Sequence, residues 1–218
     1  MVSEDNSGAL WFGVSPHFAV RGEGSSAETF DLAIADKSGT TVTSIEQDKN
    51  GVIWFATDAG ISIYRNGSIS QFSESSGLID NSLNKILEDR EGNIWIATDK
   101  AGAQKMNHGI FKMYPLLSSV NAIAEGKDGR MWFGCDKGVV CYKADKNNSL
   151  IPEYNAITAF CKSARIRDVS IASNGDILVS SYANLGQMRF SPDGELVGQW
   201  KKADGLTGEK VRVGIESA

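Results

Sequence analysis

Histidine is scarce in this sequence, with two residues in 218, and the chain has only three cysteines and four prolines. Histidine is the commonest general acid or base and a frequent metal ligand, so its scarcity argues against both kinds of site. Cys135, Cys141 and Cys161 are odd in number and fit no C-x-x-C or Cys/His ligand spacing. We therefore expect buried free thiols, with no disulfide framework, metal or cofactor.

Long apolar runs and basic clusters are also missing. No stretch of apolar residues reaches the roughly eighteen needed for a spanning helix, so we expect no membrane span within these residues. The net charge is -5 and the basic residues form no stripe, which argues against a nucleic-acid partner. Residues 1–6 are polar and acidic, unlike a signal peptide, so we expect a cytoplasmic protein or an excised domain.

One segment of the sequence recurs along the whole chain. Residues 42–64 read VTSIEQDKNGVIWFATDAGISIY, and residues 83–99 repeat them as LNKILEDREGNIWIATD. The marker residue of each copy is Trp11, Trp54, Trp95, Trp132 and Leu178, at spacings of 43, 41, 37 and 46 residues. Such spacings are close to the period of about 40–45 residues of a four-stranded propeller blade.

Within each copy the pattern predicts short strands joined by tight turns. Apolar β-formers alternate with glycines every 8–12 residues or so, and Asn50-Gly51 suits a tight hairpin because glycine tolerates a positive φ. We predict strands at 42–47, 52–57, 60–65 and 69–73, with the same order in every copy. The fold class is therefore all-β: a β-propeller of about five four-stranded antiparallel blades.

The domain organisation follows from the copies. We predict one propeller domain over 1–218, with blades at 1–35 plus 210–218, 36–73, 74–114, 115–160 and 161–209. The segment 210–216 looks like one more first strand, so we expect it to close the ring by pairing with the N-terminal blade. Residues 2–5 match the end of such a strand and compete for that position. The alternative is that the five units come from a larger ring of about seven blades.

The signature V-x-x-I-x-x-D-x-x-G-x-I-W-x-A-T-x-x-G-I, with the linker at 76–82, resembles the two-component regulator propeller repeat. The resemblance covers nearly the whole chain and is strongest over 42–138. It implies the extracytoplasmic, glycan-responsive sensor region of a bacterial hybrid histidine kinase, and hence a periplasmic or extracellular location. Those sensors carry more blades, a further β-domain, a membrane span and a kinase. The blades are also similar to those of streptogramin lyases, which are enzymes.

Catalysis is not expected from the residues themselves. We place His17 in or near a third strand and His108 in a turn, neither with an evident catalytic partner. Hydrolase, zinc-protease, P-loop and EF-hand motifs are all missing from the sequence. The recurring Asp-x-x-Gly fits a turn cap better than a calcium loop. We therefore predict a non-enzymatic binding protein with no catalytic residues, and keep a lyase-like enzyme as an alternative.

Candidate ligand-binding residues come from the loops that open on one face of a propeller, between second and third strands and between successive blades. They are Asp58, Asp80, Asn81, Asp99, Asp136, Tyr154, Arg165, Tyr182 and Asn184. Carboxylates with aromatic and amide groups suit hydroxyl-rich or cationic ligands. The alternative for Asp58, Asp99 and Asp136 is turn shaping. We expect a small-molecule or oligosaccharide ligand, or a protein partner that uses the same face.

Overall fold

The computed structural model describes residues 1–33, 40–107, 110–114, 116, 118–146, 149–182, 184–208, 210–212 and 214. These residues fall into two compact units, Met1–Leu116 and Leu117–Ala218. Each unit is built from four-stranded antiparallel sheets whose strands follow one another in chain order. The all-β, five-blade prediction is confirmed. One domain over 1–218 stays a prediction.

The first unit contains three sheets, here called blades 1 to 3. Blade 1 has β1 (Val2–Glu4), β2 (Leu10–Val14), β3 (Phe18–Glu23) and β4 (Ser26–Asp31). Blade 2 has β5 (Val42–Gln47), β6 (Ile53–Thr57), β7 (Gly60–Arg65) and β8 (Ser68–Phe72). Blade 3 has β9 (Leu83–Glu88), β10 (Ile94–Thr98), β11 (Ala103–Asn107) and β12 (Ile110–Tyr114), after a 3-10 turn at Glu74–Ser76.

The second unit contains two further sheets, blades 4 and 5. Blade 4 has β13 (Val120–Glu125), β14 (Met131–Cys135), β15 (Gly138–Ala144) and β16 (Leu150–Glu153), and is followed by the short helix α1 (Ala156–Phe160). Blade 5 has β17 (Ile166–Ile171), β18 (Ile177–Ser181), β19 (Gln187–Phe190) and β20 (Leu196–Trp200). A second 3-10 turn, Lys202–Asp204, follows blade 5.

The edge of blade 1 bears on the predicted ring closure. β1 pairs with β2 in the register Val2↔Phe12 to Glu4↔Leu10, so N-terminal residues occupy the position beside β2. A hairpin to the next strand closes a short loop, which costs less entropy than pairing with a distant segment. Pairing of 210–216 with blade 1 is not shown, and residues 213, 215 and 216 lie outside the described residues.

Neighbouring blades pack through the repeated tryptophan. Trp54 on β6 lies in one buried cluster with Leu83 and Ile86 of blade 3. Trp132 on β14 occupies the same place against Val169 of blade 5. The indole therefore fills the wedge between two successive sheets, where its large apolar area stabilises face-to-face packing.

A buried aspartate fixes both the first turn of the blade and this tryptophan. In blade 2, Asp48 Oδ1 accepts the backbone N–H of Asn50 and of Val52, each at 2.9 Å. Its other oxygen, Oδ2, accepts the indole N–H of Trp54 at 2.9 Å. One carboxylate thus satisfies two orphan turn amides and sets the indole orientation. We call this arrangement the Asp–Trp clamp.

The clamp recurs in two more blades. Asp5 accepts the indole N–H of Trp11 at 2.8 Å, and Asp89 accepts that of Trp95 at 2.8 Å. A cation on the third strand adds to both: Arg21 lies 3.4 Å from the Asp5 carboxylate and Lys105 lies 3.4 Å from that of Asp89. The Asp-x-x-Gly prediction of a turn cap is thereby confirmed, with a second function that the spacing did not reveal.

Blades 4 and 5 depart from the clamp. In blade 2, the backbone of Asp48 also makes the hydrogen bonds of the first turn. Gly126 in blade 4 and Ala172 in blade 5 make the same backbone hydrogen bonds, but neither residue has a carboxylate. Blade 4 keeps the tryptophan, whereas blade 5 has Leu178 on β18. An ion pair between Asp176 and Arg189, 2.5 Å apart, lies beside the turn of blade 5 instead.

The clamp predicts a stability cost for an isosteric change. In Asp89→Asn, the side chain keeps one acceptor oxygen, so its NH2 group must face either a backbone N–H or the indole N–H. We expect the free energy of unfolding to fall by about 1–3 kcal/mol, measured by urea denaturation. The exposed turn residue Asp193, changed to Asn, is the control and should stay near wild type. Equal stability of both variants would contradict the clamp.

Acid should weaken the clamp in a defined range. Burial opposes ionisation of Asp5, but hydrogen bonds from Ser7, Trp11 and Ala9 outweigh it and lower its pKa from 3.8 to about 2. Because the folded pKa lies below the unfolded one, the stabilisation is complete above about pH 4 and is lost as the pH falls through about 2. We expect Asp5→Asn to flatten the loss of stability between those pH values in urea titrations. An unchanged pH profile would contradict this assignment.

Candidate functional site

The second unit brings three of the predicted site residues together. Tyr182 follows β18, Arg165 precedes β17, and Asp136 follows β14, all at the same end of their sheets. The Tyr182 backbone N–H donates to the Arg165 carbonyl oxygen at 2.8 Å. The Arg165 Nε donates to Asp136 Oδ1 at 2.9 Å.

Tyr182 lies at the centre of three positive charges. The guanidinium carbons of Arg165 and Arg167 lie 5.4 and 5.0 Å from its ring centroid, and Lys210 Nζ lies 5.1 Å from it. All three distances are typical of cation–π contacts. We name this group the Tyr182 cluster, and it comprises Asn121, Asp136, Arg165, Arg167, Tyr182 and Lys210.

Asn121 on β13 holds the cluster to the sheets. Its Nδ2 donates to Asp136 Oδ1 at 2.9 Å and to the Ile166 carbonyl oxygen at 2.8 Å. Its Oδ1 accepts from Arg167 at 3.0 Å. In blade 2, Thr43 makes the corresponding bond to the first residue of the next blade, Leu83, at 2.7 Å. The side chains of the cluster are therefore positioned by strands as well as loops.

The repeat shows how blade 5 differs at this end of the sheet. The backbone N–H groups of Asp58, Asp99 and Asp136 donate to the carbonyl oxygens of Thr41, Ser82 and Ser119, as Tyr182 does to Arg165. Blades 2 to 4 therefore pair an aspartate with a small hydroxyl residue at these positions. Blade 5 has a tyrosine and an arginine in their place, so the local charge is reversed.

The electrostatics of Asp136 reflect its neighbours. Partial burial opposes its ionisation, but hydrogen bonds from Asn121 and Arg165 and the charges of Arg165 and Arg167 outweigh burial and lower its pKa. Asp136 is therefore an anion at neutral pH. Within the Tyr182 cluster it stands against three cations, which leaves the cluster with a net positive charge in a chain of net charge -5.

The predicted site residues of the first unit shape loops. Asp80 is 9% exposed; its Oδ1 accepts the Ser82 N–H at 3.0 Å and its Oδ2 accepts the Lys100 N–H at 2.9 Å. Asp58 Oδ1 accepts the Thr41 N–H at 2.8 Å. Asn81 Oδ1 accepts the Glu74 N–H at 2.8 Å, and the Asp99 N–H donates to the Ser82 carbonyl oxygen. These bonds tie the loops to the preceding linkers.

Tyr154 and Asn184 take no part in the contacts that define the Tyr182 cluster. Tyr154 is 91% exposed and directly precedes Asn155, which caps α1. Asn184 has a φ of 67°, in the left-handed region that asparagine tolerates better than most residues. Its position in the altered loop of blade 5 is thus explained by the turn.

His17 is the one histidine among the described residues. His17 lies 3.7 Å from the Asp31 carboxylate and packs on Phe18, and His108 lies outside the described residues. No group of three or more His, Cys, Asp or Glu that could hold a metal occurs among the residues described. The three cysteines are free and buried, as expected, and burial raises the pKa of each to about 12. No helix in the described part of the chain is long and apolar enough to span a membrane.

Four-stranded antiparallel blades with a repeated tryptophan wedge define the chain as a β-propeller protein. The family model of the two component regulator propeller matches residues 36–59, 77–100 and 116–137, which lie in three of its repeats. The resemblance identified in the sequence is confirmed. No curated protein sequence matches the chain.

Solved structures share the fold. The extracellular domain of a hybrid two component system from B. thetaiotaomicron is 21% identical with a TM-score of 0.77, covering 96% of this chain and 29% of that one. The virginiamycin B lyase of Staphylococcus aureus is 15% identical with a TM-score of 0.69, covering 92% and 68%. PorZ, a surface component of the Porphyromonas gingivalis type-IX secretion system, is 13% identical with a TM-score of 0.73, covering 96% and 34%. At these identities the likeness shows the fold alone.

The hydrogen bonds of Asp80 predict a structural effect. Asp80→Asn leaves one acceptor oxygen for two backbone N–H groups, so we expect the free energy of unfolding to fall by about 1–3 kcal/mol in urea denaturation. The matched control in the same unit is Glu28→Gln, on the exposed face of β4, with no expected change. Wild-type stability of Asp80→Asn would show that the carboxylate is not needed for the loop.

Proposed function

We propose that the chain is a non-enzymatic, ligand-binding sensor propeller and that its ligand is a carbohydrate. The observation that carries this proposal is the Tyr182 cluster, where residues of blades 4 and 5 and Lys210 bring aromatic, amide and charged groups together. Rigid scaffolds commonly carry binding residues on such loops. The ligand class comes from the resemblance to sensors of two-component systems.

The position of the cluster supports binding. Three blades keep the same aspartate and hydroxyl pair at this end, whereas blade 5 replaces both members with Arg165 and Tyr182. Local departures from an otherwise consistent pattern tend to occur at functional sites. The Asp–Trp clamp of blades 1 to 3, at the turn between the first and second strands, serves the fold instead.

We propose that the propeller lies outside the cytoplasm, in the periplasm or the extracellular space. The support is the family of its repeats and the similar extracellular domain, of which the chain spans 29%. A signalling role for the whole protein would need output segments like those of hybrid sensor kinases.

A protein-interaction scaffold is a second candidate. Tyr154 is 91% exposed and Phe160 of α1 is 41% exposed, so two aromatic side chains flank the ends of one short helix. Exposed aromatics are enriched at protein interfaces. A streptogramin lyase-like enzyme is the remaining alternative, and the similarity of the folds is what supports it.

The test is a panel of saccharides in thermal denaturation, with Tyr182→Ala and Tyr154→Ala compared with the wild type. A ligand at about one hundred times its Kd adds about 2.7 kcal/mol to stability, so we expect melting to rise by roughly 5–10 °C. Tyr182→Ala should lose this shift and Tyr154→Ala should keep it.

Two outcomes would contradict the proposal. One is no shift with any saccharide, together with a protein partner whose capture Tyr154→Ala abolishes, which would favour the scaffold. The other is metal-dependent turnover of a streptogramin that a chelator stops, which would favour the lyase.

A further inference from the structure

We propose that the Tyr182 cluster is an anion-binding subsite, and that it takes the carboxylate or sulfate ester of an acidic saccharide. The inference rests on the proposed function for the saccharide, and on the cluster itself for the acidic group. Such an acidic ligand differs from the hydroxyl-rich or cationic ligands that the loop carboxylates alone would suit.

The charges of the cluster are unbalanced. Arg165, Arg167 and Lys210 all lie within 5.4 Å of one ring centroid, and Asp136 is the carboxylate that pairs with Arg165. Three like charges held this close repel one another, and a bound anion would relieve that repulsion. An acidic group therefore gains more here than a neutral hydroxyl.

The donors of the cluster suit a planar or tetrahedral oxyanion. A guanidinium has five N–H donors in a fixed plane, and an ammonium has three. Within the cluster, Arg165 donates to Asp136 through Nε, and Arg167 donates to Asn121 through one terminal nitrogen. Further N–H groups on the same planes can bind carboxylate or sulfate oxygens, often two at once.

The two arginines are held in place by hydrogen bonds, and the cluster remains accessible. Asn121 and Asp136 anchor the two arginines, so less conformational entropy is lost when a ligand binds. The Arg165 side chain is 45% exposed, and Lys210 is exposed. The subsite is thus preformed but open to solvent.

The repeat makes the positive charge specific to blade 5. The residues corresponding to Arg165 are Thr41, Ser82 and Ser119 in blades 2 to 4, and those corresponding to Tyr182 are aspartates. The contact that serves blade folding, the Asp–Trp clamp, recurs in three blades. The substitution of acid by aromatic and of hydroxyl by guanidinium in a single blade indicates a ligand.

The experiment compares three oligosaccharides of equal length, one neutral, one with a uronic acid and one sulfated, by calorimetry at low and moderate salt. We expect an acidic member to bind at least tenfold more tightly than the neutral one, and to weaken as salt rises. The acid that binds more tightly identifies the group as carboxylate or sulfate.

Charge-removing variants locate the binding. Lys210→Gln and Arg167→Gln should each weaken the acidic saccharide roughly five- to tenfold and leave the neutral one unchanged. The control is Lys143→Gln, an exposed residue of β15 outside the cluster, which should bind like the wild type. Without ligand, the melting temperature of Lys210→Gln should match that of the wild type, because this side chain is exposed.

The outcomes separate the two proposals. Equal binding of neutral and acidic saccharides, unaffected by Lys210→Gln, would overturn the anion subsite and leave the carbohydrate sensor standing. Binding of no saccharide would overturn both proposals. Binding of a glutamate-rich peptide but of no saccharide would also overturn both and would favour a protein partner.

Discussion

The carboxylate of the Asp–Trp clamp is the interaction on which blades 1 to 3 depend. In blade 2, Asp48 satisfies the amides of the first turn with one oxygen and orients Trp54 with the other. The turn fixes the register of two strands, and the indole fixes how the next sheet packs. Local turn chemistry and packing between sheets are thus joined in one side chain, since an ionised group can be buried only where it is so fully hydrogen-bonded.

Within a blade, the position of the clamp and the position of the candidate site lie at opposite ends. The clamp lies where the first strand turns into the second, whereas the Tyr182 cluster lies where the second strand ends. Blade 5 has lost the clamp, with Ala172 and Leu178 at its two positions, and it has also changed the loop that carries Tyr182. Its Asp176–Arg189 ion pair lies near the altered turn. The blade that deviates most from the repeat is therefore the one that carries the candidate site.

Much of the fold was predictable because the repeat is a local signal. The strands of blade 2 were predicted to within one residue, since Asn50-Gly51 and the alternating apolar residues specify hairpins without distant contacts. The proposed pairing of 210–216 depended on contact between the chain ends, and no local pattern decides that. Val2–Glu4 holds the position beside β2 that was predicted for 210–216.

The site was predictable only in part. Asp136, Arg165 and Tyr182 were identified because they belong to loops and to the broken copy of the repeat. Three residues of the cluster were not predicted: Asn121, Arg167 and Lys210. They lie on separate segments of the chain, and only the folded structure brings these segments together. Comparing aligned copies could have revealed Arg167, which stands where Thr43 and Asn121 stand in other blades. Asp80 looked like a ligand-binding group because buried loop-shaping aspartates have the same local sequence as exposed ones.

The coupling between Asp48 and Trp54 tests the clamp most directly. A double-mutant cycle of Asp48→Ala and Trp54→Phe, measured by urea denaturation, isolates their interaction from the separate effects of each change. The account predicts a coupling free energy of about 1 kcal/mol or more, because Phe keeps an aromatic ring at this position but removes the indole N–H. Additive effects of the two substitutions would show that the carboxylate and the indole act independently, and would contradict the account.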